Sequence, residues 1–224
     1  MESFRKLPFI ALFAIAMANA EAAAVSYLRE LYGIEDLVRD LPAAADRFTA
    51  IEIGREVATM AMLLSVGWIA GRKLQDRLGA FVFVFGVWDI AYYFWLALFA
   101  GFPSSPLDWD VLFLIPLPWW GPVLAPSLIA AMMCVGGASA VYGADRGVSW
   151  RLSWTNAAIA GAGIAIVLYT FMADALGAAP DGAEAVRRVR PSDFQWGLFA
   201  MGFVVMSWAG LRVTWPGRSR LLRT

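Results

Sequence analysis

Residues 79–100 read GAFVFVFGVWDIAYYFWLALFA, and they decide the fold. The stretch holds one charged residue, Asp89, among 22. A helix of that length covers the ~30 Å hydrocarbon core of a bilayer at 1.5 Å per residue. A single such run inside a soluble protein could be a core helix. Here it recurs, so the reading is a polytopic membrane protein.

Working outward, six spans can be drawn. They cover about 7–28, 49–70, 79–100, 122–142, 153–176 and 194–213. The whole chain of 224 residues is 60% apolar, against ~45–50% for a soluble domain. We expect one all-α integral membrane domain over 1–224, a six-helix bundle. Arg5 and Lys6 followed by an apolar run and Ala18-Asn19-Ala20 look like a signal peptide. The apolar run continues through Ala22-Ala23-Ala24-Val25, so we take it as an uncleaved first span.

Charge sets the orientation. The N-terminus, loop 71–78, loop 143–152 and the tail from Arg212 carry eleven Arg and Lys against Glu2, Asp76 and Asp145. A net charge of zero thus conceals a strong dipole. By the positive-inside rule both termini are cytoplasmic, with loops 29–48 and 177–192 outside. Pro42-Ala43-Ala44-Ala45-Asp46-Arg47-Phe48 in the first of these loops could begin a short surface helix.

Residues 103–121 break the pattern. The apolar piece Val111 to Ile115 is too short to span, and Pro116 and Pro118 forbid a continuous helix. We expect a short interfacial or re-entrant segment between the third and fourth spans. Its Trp109, Trp119 and Trp120 would lie at headgroup level, with Pro122 in the first turn of the fourth span.

There is no histidine, so the commonest general base and metal ligand is missing. The single cysteine, Cys134, excludes an internal disulfide and a cysteine zinc cage. Any chemistry falls to carboxylates. Glu21, Glu52, Glu56 and Asp89 all lie in apolar runs, where an ionisable group is costly unless it faces protein, water or a counter-charge. With the orientation above, they cluster in the outer half, near Asp110.

Glu52 and Glu56 share a helix face, and Arg55 stands between them. One reading is a helix N-terminus that favours negative charge plus a local ion pair. The other is a paired-carboxylate site, or a divalent cation such as Mg2+ held by the two; no metal site is otherwise expected. Asp89 is either a neutral packing residue or a proton donor in an aromatic pocket. Trp88, Tyr92 and Tyr93 flank it, and ten of residues 81–102 are aromatic. Catalytic candidates are therefore Asp89, Glu52 and Glu56, and substrate-binding candidates Arg55, Trp88, Tyr92, Tyr93, Glu21 and Asp110. Asp89, the deepest, is expected to hold a proton; Arg55 keeps Glu52 and Glu56 more ionised. The runs 136–139 and 160–163 (GGAS and AGAG) read as close helix packing.

The strings IGRE at 53–56, WDIAYY at 88–93 and DVLFLIPLPWWGP at 110–122 resemble those of bacterial multi-pass inner-membrane proteins. That resemblance covers roughly residues 20–130 and implies a location but no activity. Trp88-Asp89-Ile90-Ala91-Tyr92 also resembles a Trp-acid-x-x-Tyr string of some small integral-membrane terpene and lycopene cyclases, which use acidic residues. The rest of the chain departs from their pattern.

Three functions are compatible with these features. The first is a membrane-embedded acid–base enzyme acting on a lipid or isoprenoid from an outward-facing carboxylate and aromatic pocket. The second is a carboxylate-based cation or proton transporter or channel. The third is a non-catalytic structural or accessory subunit. No internal repeat supports a transporter. Expected partners are membrane lipids, a lipid or isoprenoid ligand and other membrane subunits. Nucleic acid is not expected, since the basic residues read as topogenic signals.

Overall fold

The computed structural model describes residues 2–34, 47–150 and 153–214. The expected surface helix beginning at Pro42 falls largely outside these residues. Seven α-helices are present among them: α1 (Leu7–Tyr32), α2 (Arg47–Ala70), α3 (Leu74–Ala100), α4 (Leu124–Asp145), α5 (Trp154–Ala178), the short α6 (Ala183–Arg188) and α7 (Trp196–Thr214). All but α6 are long and apolar enough to cross a membrane, at the positions read from hydropathy. Their surfaces fit that environment. Phe9, Ile69, Phe94, Val135 and Val204 point outward from the bundle, so its exterior is apolar.

The helices make two packed groups. α3 lies against α1, α2 and α4, while α5 pairs with α7. Small residues permit the closest crossings. A Cβ on Gly137 of α4 would come within 2.5 Å of the Gly79 carbonyl and the Phe83 amide of α3. Gly163 of α5 meets the Met206 amide of α7 in the same way, at 2.8 Å. Gly136 and Gly161 face open space, so each small-residue run contributes one contact glycine rather than two.

One end of the bundle is tied by polar contacts. The amides of Ser3 and Phe4 donate to the Asp145 carboxylate, Ser3 Oγ donates to Asp76, and Lys6 Nζ donates to the Ala70 carbonyl. The Gln75 amide bridges the Ala140 and Val148 carbonyls and takes the Trp150 N–H. The N-terminus and the loops after α2 and α4 therefore share one end. These are three of the four positively charged segments.

The segment between α3 and α4 is an antiparallel hairpin, β1 (Trp109–Phe113) and β2 (Trp119–Pro122). The sequence reading did not anticipate strands. Val, Phe and Trp at these positions have high strand propensity, and Pro116 and Pro118 fall in the connecting turn, where no ladder hydrogen bond is lost. Pro122 pairs with Trp109 at the end of β2, so α4 starts two residues later than expected. The tryptophans do not form an outward belt. Trp120 is 2% exposed, and Trp119 stacks on Phe171 of α5 with centroids 6.3 Å apart. Phe113 on the same hairpin packs on Phe85 of α3. The hairpin thus joins the core of α1–α3 to that of α5 and α7.

Candidate functional site

The sequence candidates fall into three linked groups. The first joins α1 to α2. Arg55 contacts the carboxylate of Glu21 and donates through Nε to Glu52 at 2.9 Å. The Thr59 hydroxyl donates to the other Glu21 oxygen. Glu21 is 7% exposed, and among the described residues its charge is met by one guanidinium and one hydroxyl. The i, i+3 spacing of Glu52 and Arg55 places both on one helix face, and α1 supplies the third member.

The second group joins α2 to the hairpin. Both Glu56 oxygens accept the backbone N–H of Leu114, at 2.9 and 3.0 Å. Glu52 and Glu56 therefore serve different partners despite their shared face: the one is drawn to Arg55 and the other to the β1–β2 turn. Among the described residues, no group of three or more Cys, Asp or Glu is placed to hold a metal ion.

The third group surrounds Asp110 of β1. Its carboxylate accepts from the Tyr93 hydroxyl at 3.1 Å. Burial pushes Asp110 up to about 6, opposed by the Tyr93 hydrogen bond and by the charge of Arg29. Asp89 lies within electrostatic reach of Asp110 and of Cys134 on α4. Gly86, on the same helix face three residues earlier, abuts the Ala130 carbonyl and the Cys134 thiol. Asp89 is therefore placed toward the α3–α4 seam, away from the α1–α2 network. Its Oδ2 is buried without a hydrogen-bond partner, and so is Nε1 of neighbouring Trp88. Trp88 stacks on Tyr92 at 6.0 Å, and Tyr92 meets Tyr93 edge-on at 5.3 Å. Trp88, Tyr92 and Tyr93 thus form an aromatic rank along α3.

A cavity of about 940 Å³ opens elsewhere, between the far ends of α1 and α3 and the start of the hairpin. Arg29, Glu30, Phe99, Phe102, Asp108 and Trp109 line it, and none of the nine sequence candidates does. Gly33 and Gly101 close α1 and α3 in the left-handed conformation, which lets both chains turn sharply at its edge. Asp108 is engaged locally. It accepts from the amides of Ser104 and Ser105 and from the Ser104 hydroxyl, and these hold its carboxyl below the usual range.

Arg29 is the residue that sequence reasoning missed. Arg29 falls in the expected loop 29–48, but α1 continues to Tyr32 and buries it to 8% exposure. A signal was available. Arg29 is seven residues beyond Ala22, which lies on the buried face of α1, so the helix period carries that face onto it.

No protein-family model matches the chain, and no curated protein or solved structure is significantly similar to it.

Proposed function

We propose that the chain is a membrane-embedded acid–base enzyme acting on a lipid or isoprenoid-type substrate, with Asp89 as the group that holds and delivers the proton. The observation that carries this reading is the unpartnered Oδ2 of Asp89. Glu21, Glu52, Glu56 and Asp110 each accept a hydrogen bond, so Asp89 is the member left free to exchange a proton. A buried carboxyl oxygen with no donor beside it has room to carry the proton that a general acid delivers. Trp88, Tyr92 and Tyr93 would shield a carbocation-like or apolar substrate and stabilise positive charge on their faces. The network Glu21–Arg55–Glu52 fixes α1 on α2, and Glu56 sets the hairpin over them.

In this reading the bundle spans a bacterial inner membrane. The end that holds the N-terminus and the basic loops faces the cytoplasm. The carboxylate groups and the hairpin then belong to the outer half. No divalent cation is assigned to Glu52 and Glu56, since their carboxylates turn to separate partners.

One observation favours a second reading, an accessory or structural subunit. Three of the five carboxylates, Glu21, Glu56 and Asp110, bond across helices or to the hairpin, as packing residues would. The two readings separate by chemistry. Membranes from cells expressing the protein are incubated in deuterated water, and their lipids are compared with those of cells lacking it. Acid–base turnover predicts an isoprenoid or lipid product bearing deuterium from solvent. Identical lipid profiles and labels would favour the subunit.

A further inference from the structure

The cavity at the far ends of α1 and α3 contains a buried cation with no carboxylate paired to it among the described residues. Arg29 is a guanidinium buried to 8% exposure, and its Nε has no hydrogen-bond partner. It lies over the Phe102 ring, 4.2 Å from the centroid. Among the described residues it forms no ion pair. Asp110 feels its charge but is bonded to Tyr93, and Asp108 is bonded to the loop at 104–105. A buried guanidinium with an open Nε and no ion pair among the described residues suits an anion beside it. A guanidinium with open donors suits phosphate oxygens in particular.

The rim has the opposite preference. α1 and α3 both end at the cavity, and the last-turn carbonyls of a helix favour positive charge. Glu30 is exposed there, and Phe99 and Trp109 offer aromatic faces suited to an ammonium group. A place for an anion at Arg29 and one for a cation at the rim describe a zwitterion. We propose that this cavity binds the phosphoammonium headgroup of a zwitterionic phospholipid, with the phosphate on Arg29 and the ammonium near Glu30. Its place at the ends of two candidate spans is the depth at which such headgroups lie. A soluble phosphoethanolamine carries the same chemistry without the acyl chains. The site stands whether or not Asp89 moves a proton, because its readout is binding.

The test uses the full-length protein, purified and delipidated in detergent. It is titrated with short-chain phosphatidylethanolamine, matched phosphatidylglycerol, phosphoethanolamine and inorganic phosphate. Retained ligand is read by native mass spectrometry and protection by thermal unfolding. Phosphatidylethanolamine should bind most tightly. Arg29→Gln should weaken it on the order of tenfold, and Arg29→Lys, which keeps the charge and guards against a folding defect, should fall between. Glu30→Gln, at an exposed position, should abolish the preference over phosphatidylglycerol. Binding of phosphoethanolamine as well as the lipid would support a site that reads the headgroup alone. Weaker binding of phosphoethanolamine would support a lipid site whose chains contribute. Equal binding of phosphatidylglycerol by the wild type, or binding unaffected by either Arg29 variant, would overturn the proposal.

Discussion

Both carboxylate oxygens of Glu56 hold the backbone N–H of Leu114, at 2.9 and 3.0 Å, across 58 positions of sequence. This bond fixes the hairpin turn to α2. Glu56→Ala should leave that part-buried amide without its acceptor and destabilise the protein by about 1 kcal/mol. Glu56→Gln keeps an acceptor oxygen and should lose less. Unfolding in detergent, with tryptophan fluorescence reporting on the hairpin, measures both. Equal losses would argue against the bond.

Arg55 should matter more than either acid beside it. Arg55→Ala strands the buried Glu21 and should cost about 3 kcal/mol. Glu52→Gln, at a partly exposed i, i+3 pair, should cost under about 1 kcal/mol. Arg55→Ala combined with Glu21→Gln should recover much of the loss, since the stranded charge is gone. A double-mutant cycle from chemical unfolding supplies the three values. Additivity of the two substitutions would show that the contact carries no energy.

Gly137 and Gly136 make an internal comparison. A methyl at Gly137 meets the α3 backbone at 2.5 Å, so Gly137→Ala must push α3 and α4 apart, at about 1–3 kcal/mol. Gly136→Ala meets nothing within 4 Å and should leave stability almost unchanged. Thermal midpoints of the two variants decide it, and a similar shift in both would refute the crossing.

Asp110 gives a pH dependence of defined sign. Burial raises its folded value to about 6, above its ordinary 3.8. Between these values the folded protein holds a proton that the unfolded chain has lost, so this group's contribution to stability falls as pH rises from about 4 to about 6. Tyr93 and Asp89 on α3 and Arg29 on α1 are the groups that face it. Asp110→Asn should remove that part of the profile, seen as the wild-type minus variant difference in unfolding free energy against pH. A flat difference would contradict the assignment.

The six apolar helices were legible because each is a run of adequate length, and hydropathy needs no partner to be read. The grouping of the N-terminus with two basic loops followed from charge in the same way. The hairpin was not legible, since five apolar residues between prolines fit several conformations until Phe85 and Phe171 provide surfaces for Phe113 and Trp119. For the site, local spacing gave the Arg55–Glu52 pair. Glu21 and Leu114 as partners of α2 depend on tertiary packing, which no spacing encodes. Arg29 was hidden because charge near a span end reads as loop, although its helix period placed it on the buried face.

If Asp89 works through its proton, as proposed, replacing that carboxyl is the sharpest probe of the protein's chemistry. Asp89→Asn preserves shape and polarity but cannot deliver a proton. Purified Asp89→Asn and Asp89→Ala proteins, reconstituted in native lipid, are compared with wild type for folding and for solvent deuterium entering the lipid or isoprenoid fraction. Asp89→Asn should fold with wild-type stability and transfer no label. Full labelling by Asp89→Asn, together with an unfolded Asp89→Ala, would contradict that role and make Asp89 a packing residue of a structural subunit.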